Sequence, residues 1–263
     1  MAKLKHTFKT DILFKLLFIR HPDLLERLVA NLMGLPVGSI ADFRITNPEI
    51  LPNVLDGKFC KLDINMLVDG KQVNLEIQVR KENAYPERAL YYSTKMYSAS
   101  LLGGDDYREI PATVTINILA FPLFDCKEYH SKFQVLETTR GERLTDKLTL
   151  HFFELSKLPK EIDGENELFL WLLLFKAETE EDLSKIKALE VPVMEQAMRA
   201  YEQITATDEF RELERLREKA AHDETAALNY ARLEERKVWE DIVADMGAEL
   251  ERLRAELGKR SGG

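Results

Sequence analysis

Only two cysteines, Cys60 and Cys126, occur in the 263 residues, and they lie 66 positions apart. That excludes a disulfide framework and a cysteine-based zinc cluster, and it fits the reduced thiols of a cytoplasmic protein. The five histidines (His6, His21, His130, His151 and His222) show neither HxxxH nor HExxH spacing, so a zinc site has no local support. Long apolar runs are missing too. The best one near the N-terminus, Ile12 to Ile19, is broken by Lys15 and preceded by Asp11, far short of the about 20 apolar residues that span a bilayer. The reading is a protein neither secreted nor membrane-embedded. No GxxxxGK[ST], GxGxxG or GxSxG occurs, which leaves phosphate-loop, dinucleotide and serine-hydrolase chemistry without a motif. Gly103-Gly104 reads as a helix stop rather than a phosphate cradle.

What is present suffices for a buried core: 45% hydrophobic and 9% aromatic residues, in a chain long enough for one large domain or two small ones. Charged residues reach 32%, above the usual quarter or so, which predicts extended solvated helix. The net charge of −9 is unevenly spread. Residues 1–130 carry 16 basic and 16 acidic side chains, 131–160 carry 6 and 4, and 161–263 carry 15 and 26, a net of −11. The chain therefore divides at 160/161 into a near-neutral first part and an acidic C-terminal region. A basic face for nucleic acid can exist in the first part, whereas like-charge repulsion pushes DNA from the second.

Periodicity supplies the elements. Ile12, Leu13, Leu16, Leu17 and Ile19 form a helical stripe, and Pro22 suits the first turn of a second helix reaching about Met33. Residues 34–57 read as loop around a short strand near Phe43–Thr46. A helix is predicted from about Pro86 to Leu102, and strands over Ala112–Phe121, Phe133–Thr138 and Leu148–Leu155. From Asn166 onward the pattern is helical. The last stretch, Asp208 to Leu257, is polar, with a loose heptad-like series that includes Leu213, Leu216, Leu250, Leu253 and Leu257. No strict heptad or internal repeat can be counted there.

The clearest local signal is a hairpin. Cys60, Leu62, Ile64, Met66 and Val68 alternate with Lys61, Asp63, Asn65 and Leu67. After Asp69-Gly70, Val73, Leu75, Ile77 and Val79 alternate with Asn74, Glu76, Gln78 and Arg80. Two period-2 runs around Asp-Gly predict a two-residue type I′ turn. Val68 then faces Lys71, Asn65 faces Asn74, Asp63 faces Glu76 and Lys61 faces Gln78. Opposed strand residues have Cβ atoms about 4.5–5.5 Å apart, and like charges there are destabilising. A divalent cation compensates naturally, because Mg²⁺ takes one or two carboxylates plus waters and substrate phosphate. Neutralisation by Lys61, Lys71 or Arg80 on an exposed hairpin face is the plain alternative.

Asp63, a 12-residue gap and Glu76-Ile77-Gln78 on the second strand of a hairpin resemble the core of the PD-(D/E)xK nuclease superfamily. Further pieces fall in order: Thr10-Asp11-Ile12-Leu13-Phe14-Lys15-Leu16-Leu17-Phe18, Gly57-Lys58 before Leu62-Asp63-Ile64, and Asn74-Leu75-Glu76-Ile77-Gln78. Arg88…Tyr91-Tyr92…Lys95-Met96-Tyr97, Thr115-Ile116-Asn117-Ile118-Leu119 and His151-Phe152-Phe153-Glu154-Leu155 follow. Over residues 8–160 the chain is similar to the recombination-promoting nuclease and transposase family of bacteria. The resemblance implies an α/β fold, a mixed sheet flanked by helices with a helical C-terminal region, and an Mg²⁺- or Mn²⁺-dependent DNA endonuclease linked to recombination or mobile DNA. It implies Asp63 and Glu76 as metal ligands, Asp11 as the accessory acid of that site, and Gln78 in the place of the superfamily's usual lysine.

Gln78 is a departure, since glutamine is neutral and only hydrogen-bonds. Lys61, opposite it in this register, can supply the missing cation. Arg88, Tyr91 and Lys95 fall on one helical face at i, i+3 and i+7, which suits phosphate contact and base stacking; an ordinary solvated face has the same spacing. DNA is the expected partner, with homo-oligomerisation through the C-terminal helices beside it. Two other classes stay open: a nuclease-fold DNA-binding or protein-interaction module with little hydrolysis, and a structural adaptor working through its C-terminal helices.

Overall fold

Ten apolar or helix-favouring residues after Thr10 form α1 (Asp11–Arg20), and Pro22 opens α2 (Pro22–Met33) at its first turn. Gly34 ends α2 with φ of 70°, the left-handed cap that a side-chain-bearing residue adopts only with strain. The computed structural model describes residues 2–47, 63–101, 104 and 106–261. The start of the expected hairpin, with Cys60 and Lys61, lies outside the described residues, as does Gly103.

After β1 (Phe43–Ile45) come β2 (Ile64–Val68) and β3 (Lys71–Gln78), joined by Asp69 and Gly70 at φ of 47° and 74°. Two successive positive φ values define the type I′ turn that matches strand twist. The register is the expected one: Val68 pairs with Lys71, Asn65 with Asn74 and Ile64 with Leu75. Asp69 also uses one carboxylate oxygen to accept the Ala41 and Asp42 N–H groups, each at 2.9 Å. Those two bonds hold its carboxyl below the usual range and tie the turn to the loop before β1.

The chain crosses over through α3 (Tyr85–Ala99) to β4 (Thr113–Leu119), which lies parallel to β3, and β6 (Leu148–Glu154) is parallel to β4. Strand β5 (His130–Gln134) runs antiparallel at the edge, giving a mixed six-stranded sheet in the order β1-β2-β3-β4-β6-β5. The expected strand at 133–138 therefore starts three residues earlier, because pairing of His130 with Phe153 through Gln134 with Thr149 fixes it. β4 is buried along its whole length, as a central parallel strand covered on both faces must be.

Helix α4 (Glu167–Lys176) packs on α2 and α6 (Pro192–Thr205) on α1, while α5 (Glu180–Lys187) packs against α4 and α6. The stripe expected on α1 is a belt instead: every residue from Ile12 to Phe18 is buried, Lys15 included. Phe14 and Phe18 meet Phe175 and Trp171 of α4 at ring distances of 5.6 and 6.1 Å. The compact unit that holds the sheet runs to Arg211 and so takes in α4–α6, which the charge division at 160/161 assigns to the C-terminal region. The second unit, from Glu212, consists of the greater part of α7 (Asp208–Ser261). Among the described residues no helix is long and apolar enough to cross a membrane.

His130 and His151 stand side by side on β5 and β6, Nε2 to Nδ1 at 2.9 Å with rings 7° from parallel. Burial first, then the neighbouring His130 and Lys132, pushes His151 down to about 4, and burial also lowers His130. Both rings thus bind protons more weakly folded than unfolded. Their contribution is complete above the unfolded value of about 6.5 and is lost as pH falls from there toward 4, by about 3 kcal/mol for His151. Thermal melts from pH 8 to pH 4 should show this loss, reduced in His151→Gln. An identical slope in parent and variant would exclude the pair as its source.

Candidate active site

The face of the hairpin that carries Asn65, Asn74 and Glu76 opens into a cleft of about 970 Å³ between β2, β3 and the inner side of α3. Alternation puts Asp63 and Glu76 on this face, and both line the cleft. The type I′ turn sets the register of the ladder as far as Ile64 and Leu75, the residues next to these acids, so the turn chemistry at Asp69-Gly70 positions carboxylates several residues away.

Amides hold the first of these acids. Asn74 donates to one carboxylate oxygen of Asp63 at 2.7 Å, and Asn65 donates to the same oxygen at 3.2 Å. Asn74 also donates to the side-chain oxygen of Asn65 at 2.9 Å. Asn47 clips the backbone, donating to the Asp63 carbonyl at 3.1 Å while its own oxygen accepts the Asn65 N–H at 2.7 Å. One oxygen of Asp63 is thereby oriented by two donors, while the carboxylate keeps acceptor capacity for a cation.

Gln78 donates to a carboxylate oxygen of Glu76 at 3.1 Å, in place of the charge a lysine would bring. Beneath them, Glu76 pairs across the ladder with Asn117 of β4. Asn117 accepts from the Tyr85 hydroxyl at 2.9 Å and donates to the His151 carbonyl at 3.1 Å. Burial, and then the negative charge of Glu76, raises the Tyr85 phenol far above its ordinary value. Tyr85 therefore stays a neutral donor that locks α3 to the sheet beside the acids. Ser93 does the same one step along, accepting from Thr115 at 2.8 Å.

The other expected site residues fall in different places. Lys95 lines the cleft and is its one cationic side chain among the described residues. Arg88 does not reach it: its guanidinium pairs with Glu82 and lies 5.0 Å over the Tyr85 ring. Tyr91 is 60% exposed and rests edge-on against Tyr92. It is Tyr92 that lines the cleft, with Ala89, Ser93, Met96 and Ala99. Asp11 begins α1, accepts the Ile12 N–H at 2.9 Å and is not among the residues lining the cleft. Lys61 lies outside the described residues. No local pattern singles out Asn47, and Tyr92 stands in the family motif without a role of its own; small Ala89 and Ser93, four apart, mark the inner face of α3.

Among the described residues no group of three or more His, Cys, Asp or Glu side chains is placed to hold a metal. Two carboxylates flanked by amide oxygens, without imidazole or thiolate, nevertheless fit a hard cation such as Mg²⁺ or Mn²⁺, which binds through one or two carboxylates and keeps several waters. Two acids facing one lysine give the cleft a net negative charge that repels phosphate unless a cation offsets it. Comparison with known proteins gives no match among curated proteins or solved structures. One family model, described as PD-(D/E)XK nuclease family transposase, does match, over residues 8–231.

Proposed function

The chain belongs to the PD-(D/E)XK nuclease family transposases, and on that premise we propose that it is a metal-dependent endonuclease hydrolysing DNA phosphodiester bonds in recombination or movement of mobile DNA. The observation that carries the reading is the pair Asp63 and Glu76 lining one cleft, with Asp63 oriented by Asn65 and Asn74.

Asp63 and Glu76 would hold Mg²⁺ or Mn²⁺. A cation there supplies polarisation of the scissile phosphate and a lowered pKa for water. The chain's own groups do the rest. Asn74 and Asn65 fix the Asp63 carboxylate so that little reorganisation is needed on binding. Gln78 holds Glu76 through its amide N–H and keeps its oxygen as an acceptor for a water proton. Lys95 and Tyr92 offer a phosphate partner and a stacking face along the cleft wall. Asp11 is the accessory acid on the family resemblance and Lys61 the added cation on the hairpin register, with Arg88 and Tyr91 as DNA contacts beyond the cleft.

The direct test is nicking of supercoiled plasmid in Mg²⁺, Mn²⁺, Ca²⁺ or EDTA. Neutral Gln78 in the lysine's place favours one competitor, a DNA-binding module without turnover. Absence of nicking, with DNA still shifted equally by the parent and the Asp63→Ala/Glu76→Ala chain, would select that competitor. Asn74→Leu should preserve DNA binding but cost roughly 10- to 100-fold in metal affinity or cleavage, the range for lost outer-shell support. Wild-type metal affinity in this variant would remove the orienting role.

A further inference from the structure

The helical unit from Glu212 carries a row of large apolar side chains that nothing covers among the described residues. Leu228, Trp239 and Leu250 are 55%, 59% and 50% exposed, and they recur every eleven residues. Ile242 and Leu253, 41% and 48% exposed, repeat the place three residues further on, where the preceding turn has Ala231. Met246, 64% exposed, holds the place seven residues on, where the preceding turn has Glu235. The spacing is thus 3, 4, 4 rather than 3, 4, and this is why a heptad count fails. An eleven-residue repeat is 3.67 residues per turn, so the row stays on one face of a nearly straight helix. Tyr230, Leu233, Val238 and Val243, also exposed, lie off this row.

We propose that α7 binds a second copy of this chain as an antiparallel two-helix coiled coil over Leu228–Leu253, centred between Glu240 and Asp241. In that register Leu228 faces Leu253 of the second copy, Ala231 faces Leu250, and Trp239 faces Ile242. Small Ala231 meets large Leu250, whereas a parallel pairing sets Ala231 on Ala231 and Trp239 on Trp239. Glu235 then lies against Met246 of the second copy and not against its own like charge.

On the rim, the acids Glu234 and Glu249 each already have a partner on their own helix, Lys237 at 3.0 Å and Arg252 at 3.7 Å. The row is about 38 Å long at 1.5 Å per residue. Its six large side chains, at these exposures, would remove roughly 1,200 Å² over two copies, within the range of stable specific interfaces. Of the six large side chains of the row, all but Leu228 lie beyond residue 231, where the family match ends.

Sedimentation of the full-length protein over a concentration series tests the association. The parent is expected as a dimer, Ile242→Lys/Met246→Lys as a monomer with the melting of the sheet-bearing unit unchanged, and Glu235→Leu as a dimer that resists dilution at least tenfold further. A monomeric parent, or a dimer that survives the two lysines, overturns the proposal. Orientation is read by oxidation, with the parent correcting for exposed Cys126. An equimolar mixture of Leu228→Cys and Leu253→Cys chains should cross-link to each other. Cross-linking of Leu253→Cys to itself instead would show a parallel pair and sink the antiparallel register.

Discussion

Alanine at Asp63 or Glu76 is expected to lower metal-dependent DNA cleavage by roughly 10³-fold, the scale at which one well-placed electrostatic element contributes to a transition state. Both acids line the same cleft, and Asp63 is oriented by two amide donors, so either loss should leave a cation with one carboxylate from the cleft. Mn²⁺ binding followed by calorimetry should weaken in step with cleavage. Binding of uncleaved DNA in EDTA should move the other way. The cleft loses a negative charge facing the phosphates while Lys95 stays, so each single variant should bind DNA at least as tightly as the parent. Cleavage falling together with DNA affinity would point to damaged structure rather than a lost ligand. Cleavage unchanged in both variants would move the chemistry away from this cleft altogether.

That pair was legible from the sequence because two short-range signals fix it. Period-2 alternation assigns the face and Asp69-Gly70 assigns the register, and both act within the hairpin itself. The outer wall of the cleft depends on something no local pattern carries. Arg88, Tyr91 and Lys95 share a helical face, but the position of the sheet decides which face of α3 turns inward, and it lies about one residue round. Only Lys95 therefore borders the cleft, with Tyr92 in the place expected for Tyr91. Asn47 was illegible for a similar reason: a lone amide in a loop gains meaning only when β1 pairs with β2 and brings it to the Asp63 backbone. The family resemblance, not spacing, brought in Asp11 and the role of Gln78. Charge counting set a division at 160/161 because charge describes solvated surface. The run Leu168–Phe175 was the contrary signal, since a helix apolar all round needs neighbours on every side, and α4 finds them in the N-terminal helices.

The largest stability loss outside the hydrophobic core is expected at Glu154, at the end of β6. Its side chain has no exposed surface, yet it is an ion-pair partner of Lys157 at 2.8 Å. One oxygen accepts the N–H groups of Leu123 and Phe124 at 2.5 and 3.2 Å, and Lys157 closes the circuit by donating to the Phe124 carbonyl at 2.6 Å. The carboxylate thus ties the loop after β4 to the sheet. That loop brings Phe121, Leu123 and Phe124 against the cluster of Tyr85, Ala89, Leu119 and Phe152, and Tyr85 and Ala89 belong to the helix that walls the cleft. Glu154→Ala leaves two backbone donors without their acceptor and takes the carboxylate from the Lys157 ammonium, which keeps the Phe124 carbonyl, a change that costs about 3 kcal/mol. For a unit of this size that corresponds to a melting point lower by about 10 °C. Glu154→Gln keeps an acceptor for the loop and loses only the charge, so its loss should be about half as large. Because the tethered loop supports α3, the alanine variant should also show faster hydrogen exchange at Tyr85–Ala89 before β2 and β3 are affected. Equal melting of the alanine and glutamine variants would mean that the ion pair alone matters and that the loop is held by its aromatic contacts.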